Sequence, residues 1–149
     1  RGYFIGFTVG ALVMRLVFGG ISDQYGHARV ATISLFAYAL VAFGAAFMTP
    51  RTLEVFGFAQ GVVHGVFYPA VVALGVERAG HAAKGRAITW LYGTFNLGSM
   101  LAGLGVGAIA ERYDTRVAFY VTGLVTGFGV LALAPSFIEE RRRRLSAQA

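Results

Sequence analysis

Residues 117–138 read Val-Ala-Phe-Tyr-Val-Thr-Gly-Leu-Val-Thr-Gly-Phe-Gly-Val-Leu-Ala-Leu-Ala-Pro-Ser-Phe-Ile, with no charged side chain in the run. A helix needs about 20 mostly apolar residues to cross the hydrocarbon core of a bilayer. A soluble core helix of that length keeps a polar face, and this run has none. Four stretches of the same kind precede it. They are 2–21, with Arg15 as its one charge; 30–48; 55–76, which contains His64; and 87–110. Charges bound each of them. A transmembrane barrel would instead show alternating segments of about 9–11 residues. The reading is an all-α membrane protein with five transmembrane helices over 1–138 and a basic tail over 139–149.

Composition agrees. Hydrophobic residues make up 56% of the 149 residues and charged residues 13%, against about 45–50% and about 25% in soluble domains. The length gives one domain. There is no cysteine, which excludes a disulfide scaffold, a Cys-based zinc site and a Cys nucleophile. The net charge is +6, but the basic residues stand between uncharged stretches and do not cluster on one soluble face. Nucleic acid is therefore not an expected partner. The first stretch is too long for the apolar core of a signal peptide and lacks a cleavage-like end. The chain opens on Arg1, which points to a fragment.

Charge also orients the spans. One side holds Arg29, Arg78, Lys84, Arg86 and the run Arg141–Arg144; the other holds Arg1, Arg51, Arg112 and Arg116. The positive-inside rule places the first set, and the C-terminal tail, in the cytoplasm. The arginine run reads as a stop signal against anionic headgroups. Small residues recur at four-residue spacing: Gly6 and Gly10; Gly57, Gly61 and Gly65; Ser99, Gly103 and Gly107; Gly123 and Gly127. That spacing lines one helix face and lets backbones approach. Pro69 inside the third span is expected to kink it.

Between the first two spans stands Gly19-Gly20-Ile21-Ser22-Asp23-Gln24-Tyr25-Gly26-His27. Gly26 suits a turn with positive φ, and Asp23 suits the start of a helix. The spacing Gly-x-x-x-Asp-x-x-Gly resembles the signature turn of the major facilitator superfamily, which joins the second and third helices of each six-helix half. The family's basic residues are replaced by Gln24, His27 and Ala28, with Arg29 one position later. Arg15 resembles a basic residue frequent before that turn. Gln60-Gly61 with Gly65 is similar to the family's fourth-helix motif, with Gly57 where first halves carry Arg. Glu77 and Lys84-Gly85-Arg86-Ala87 resemble the loop before the fifth or eleventh helix. Gly98 is followed by Ser99, where first halves of exporters often carry Pro. These departures place the resemblance in the second half, so the spans correspond to helices eight to twelve. The fold implied is a partial major-facilitator-type helical bundle.

The resemblance implies a secondary active transporter that moves a small organic solute by alternating access, in a bacterial inner membrane. Its partners would be the bilayer, the solute and the missing N-terminal half of the same protein. Polar groups inside spans are then functional candidates. Arg15 favours an anionic solute, or else snorkels to the surface. Gln60, His64 and Tyr68 share a helix face. His64 suits a coupling proton, or packs as a neutral ring. Tyr92 and Asn96 sit one turn apart, and line the cavity or bond to neighbouring helices. Gly19, Asp23, Gly26, Arg29, Glu77 and Arg86 form the gating set, with the four charges expected in one network.

No metal site, cofactor or enzymatic activity is expected. No second His or carboxylate stands at ligand spacing from His64, and the sequence holds no HExxH, Ser/His pair or Walker motif. The competing reading is a non-transporting multi-span protein acting as a structural or assembly subunit.

Overall fold

A computed structural model describes residues 1–146, apart from the side chains of His81, Arg143 and Arg144. The described residues are almost all helical, and no strand forms among them. Its helices are α1 (Gly2–Phe18), α2 (Ile21–Tyr25), α3 (His27–Ala45), α4 (Leu53–Ala79), α5 (Lys84–Arg112) and α6 (Thr115–Ser146), with a 3-10 turn at His81–Ala83 before α5. The helices α3 to α6 are long and apolar enough to cross a membrane; α1, with 17 residues, is a shorter apolar helix. This is the partial bundle expected.

The ends of the elements differ from the expected spans in a regular way. The stretch 2–21 breaks at Gly19-Gly20, and the turn that follows carries α2, a helix of 5 residues. Gly26 ends it with φ 98°, donating its N–H to the Ser22 carbonyl at 2.9 Å. Only glycine takes that conformation without strain. The helices α5 and α6 run past the apolar stretches because charged residues continue a helix readily outside lipid. Residues 139–146 accordingly extend α6; the remainder of the expected tail, 147–149, lies outside the described residues. Pro69 sits within α4, which remains one helix around it. Asp114 caps α6, its Oδ1 accepting the Arg116 N–H at 2.9 Å.

Packing is tightest between α1 and α4, which run in the same direction. A Cβ added at Gly6 or Gly10 would strike the backbone of Glu54 or Phe58. One at Gly57, Gly61 or Gly65 would strike the backbone of Tyr3, Phe7 or Ala11. The two glycine rows therefore interleave, backbone on backbone. In lipid, with no hydrophobic force between helices, such close contact drives association. The other two rows do not serve this purpose within the chain. Gly123 meets the Phe43 ring, whereas Gly127, Gly103 and Gly107 face open space. No residue of α5 is buried.

Helix α3 lies antiparallel between α4 and α6. Its small residues Ala28, Ala31, Ala39 and Ala42 are buried, and Val30 and Ala31 form a core with Ala70, against Ile21, Val66, Val71 and Leu133. The Oε2 of Glu140 on α6 accepts the backbone N–H groups of Ala28 at 2.8 Å and Arg29 at 3.2 Å. The first turn of α3 is thus capped from 112 residues away. A carboxylate is favoured there by both the free donors and the helix dipole. The threonine hydroxyls of α3 and α6 return to their own helices: Thr32 donates to Ala28, Thr122 to Ala118 and Thr126 to Thr122, each at 2.8 Å. That silences polar groups which lipid cannot solvate.

Gly61→Val should overpack the α1–α4 seam and lower stability in detergent by about 1–3 kcal/mol, while Gly127→Ala leaves thermal unfolding unchanged. Glu140→Ala should cost about 1–2 kcal/mol and speed hydrogen exchange at the Ala28 and Arg29 amides relative to the middle of α3.

Candidate functional site

Two clusters of chemistry-bearing side chains form. The first stands at the end of the bundle where the residues 19–29 meet the end of α4. Asp23 falls inside α2, not at the head of α3, and so leaves the capping of α3 to Glu140. Its carboxylate turns instead to His27, with Oδ1 at 3.0 Å from Nε2. The opposite ring nitrogen, Nδ1, lies 3.0 Å from Glu77 Oε2 on α4. His27 is 24% exposed, Asp23 74% and Glu77 59%. Such exposed pairs contribute about 0–1 kcal/mol each, so this contact can open and close.

Of the four charges expected in one network, Asp23 and Glu77 are joined, but through His27. Arg29 is not joined to them: its backbone N–H goes to Glu140. Arg86 is exposed on α5, and among the described residues it makes no ion pair. Glycines 19 and 26 bracket the turn. Beside it, Ala28, Leu74, Glu77, Arg78, Ser136, Glu139 and Glu140 line a cavity of about 360 Å³.

The second cluster lies along α4. His64, near the middle of that helix, is surrounded by rings from four helices. Phe7 of α1 is 5.3 Å away between centroids, Tyr38 of α3 6.4 Å and Phe95 of α5 6.3 Å. Tyr68, one turn along α4, stacks on His64 at 5.7 Å with 22° between planes. Tyr92 and Phe95 pack edge-on against Tyr68 at 6.0 and 5.3 Å. Arg15 of α1 places its guanidinium carbon 5.9 Å from the centre of the Tyr68 ring, a cation–π distance. Among the described residues no carboxylate pairs with it. Gln60 stands on α4 one turn before His64.

The structure therefore brings Arg15, Gln60, His64, Tyr68 and Tyr92 together. Asn96 stays apart: its Nδ2 donates to the Tyr92 carbonyl of its own helix at 2.9 Å. His27, Glu140, Phe7, Tyr38 and Phe95 were not among the residues expected. The four-residue step from Asp23 to His27 was a usable signal for the first. The aromatic residues carry none, since rings are abundant in every span. Among the described residues no group of three His, Asp or Glu side chains stands ready for a metal ion.

Comparison with known proteins accords with the helical architecture. The chain is 28% identical over 141 residues to the multidrug resistance protein MdtG of Salmonella heidelberg (strain SL476), an alignment covering 94% of this chain and 34% of MdtG. It is 32% identical over 143 residues to the uncharacterized transporter y4wD of Sinorhizobium fredii (strain NBRC 101917 / NGR234), covering 89% of this chain and 35% of y4wD. The chain thus spans about a third of the length of these relatives. No solved structure matches it. Residues 3–149 match the sequence profile of the Major Facilitator Superfamily, and the chain belongs to that family of membrane transporters.

Proposed function

We propose that this chain is the second-half part, helices eight to twelve, of a secondary active transporter that moves a small organic solute by alternating access. Family membership supports transport, and the observation that carries the site is the row Arg15–Tyr68–His64. A guanidinium with no carboxylate partner, set on an aromatic ring, offers a flat and anionic solute two contacts at once: charge-assisted hydrogen bonds from Arg15 and ring stacking on Tyr68. Gln60 and Tyr92 supply polar groups on either side of that row. Asn96 belongs to the proposed set through α5, on the turn after Tyr92.

His64 touches the same Tyr68 ring, and carries the coupling proton in this reading. An anion bound at Arg15 offsets a nearby positive charge and so makes room for a second one on the imidazole. Solute and proton would then be taken up together. The remaining part of the transporter supplies the facing wall of the cavity and covers α5, whose glycines face open space. The end of the bundle holding Asp23, His27, Arg29, Glu77 and Arg86 is the cytoplasmic gate, with Gly19 and Gly26 as its pivots. Arginine and lysine counts favour that end being inside, and the membrane in this reading is the inner membrane of a bacterium.

The test is uptake by proteoliposomes holding the complete transporter, with an imposed proton gradient and a panel of aromatic acids, amines and neutral solutes. An acid should be transported. Arg15→Gln should raise its KM on the order of tenfold or more, the weight of one charge-assisted hydrogen bond at about 1.5–3 kcal/mol. Asp23→Asn should slow uptake without loss of expression. Uptake of none of the panel, or uptake indifferent to Arg15→Gln, removes this assignment and returns the structural-subunit reading.

A further inference from the structure

The two contacts of His27 carry a requirement that neither residue pair has alone. Both ring nitrogens face a carboxylate oxygen, at 3.0 Å each. An ionised carboxylate only accepts hydrogen bonds, and a neutral imidazole has one N–H to give. Both contacts are hydrogen bonds only when the ring holds a second proton. We propose that His27 is a proton-binding site, separate from the aromatic cluster, at which proton uptake clasps the α2 turn to the end of α4. The clasp's role in closing a gate rests on the transporter reading above; its proton dependence does not.

The surroundings favour the charged ring. Asp23 and Tyr25 come from α2, Glu77 and Arg78 from α4, Glu139 and Glu140 from α6, and Arg29 from α3 itself. The carboxylates in contact with the ring are Asp23 and Glu77, and Glu140 is tied to the α3 amides. His27 precedes the apolar run that begins at Val30, and its side chain belongs to the polar end of the bundle. Partial burial works against the imidazolium, but hydrogen bonds to Glu77 and Asp23, with their charges, outweigh it and raise the pKa of His27 above its ordinary value. The sign follows. Below the raised pKa the proton is bound and both hydrogen bonds are made. As pH rises through it the proton leaves, one acceptor faces a lone pair, and the clasp loosens. An arginine here would hold the contact at every physiological pH; a histidine makes it conditional.

This stretch has no cysteine; with any cysteine elsewhere in the transporter replaced by serine, a spin-label pair is introduced as Gln24→Cys with Ala79→Cys in the membrane-embedded protein. At pH about 5.5, below the ordinary histidine range, the distance distribution should be short and narrow. At pH about 8.5 a longer population should appear. His27→Arg should keep the short distance at both, and His27→Gln should show the long one at both. Glu77→Gln should move the midpoint down by about one pH unit. A distribution that ignores pH, or a pH response that survives His27→Gln, overturns the proposal. Loss of solute uptake with an intact pH response would remove the transporter reading and leave the clasp. Intact uptake with no pH response would remove the clasp alone.

Discussion

The backbone contact between α1 and α4 is the constraint on which the rest depends. It exists because glycines alternate across the seam, Gly6 and Gly10 from one side and Gly57, Gly61 and Gly65 from the other. Any side chain in that row would push the helices apart. The distance matters because the side chains that flank the seam are the chemical ones. Phe7 and Arg15 reach the rings of His64 and Tyr68 only because α1 lies flush on α4. A helix pair held by bulky interdigitating residues would place the same groups farther apart.

Much of the architecture was legible from charge and length. Each apolar run appears as a helix, since lipid leaves no other way to satisfy the backbone of a single span. The ends were less legible. Charged residues at 84–86, 111–112 and 139–146 do not stop a helix; they only stop the lipid. The reading of Gly26 as a positive-φ turn held because one residue type dominates that conformation. Asp23 does stand in the first turn of a helix, as its charge favours, but that helix is the short α2 which the glycine pair allows to form before α3.

For the candidate site the division is similar. Gln60, His64 and Tyr68 meet because steps of four on one helix are fixed by helix geometry. Asn96 and Arg86 show the limit of that logic. Asn96 finds its acceptor one turn back on α5, which needs no neighbour. Arg86 stands on a helix that buries none of its residues in this chain. Contacts between distant positions, such as Glu77 with His27 over 50 residues, depend on how α3 and α4 cross. No local pattern records that.

The cap that Glu140 places on α3 ties the order of folding to the order of synthesis. When α3 emerges, the N–H groups of Ala28 and Arg29 have no partner of their own, and their acceptor lies 112 residues downstream of Ala28. Until α6 has been made, that end of α3 must be served by water or headgroups. It can therefore sit no deeper than the membrane surface. The helix is held at that level while α4 and α5 are made and is fixed against the bundle only when α6 arrives. The arrival of α6, and not the making of α3 itself, completes the amino end of α3.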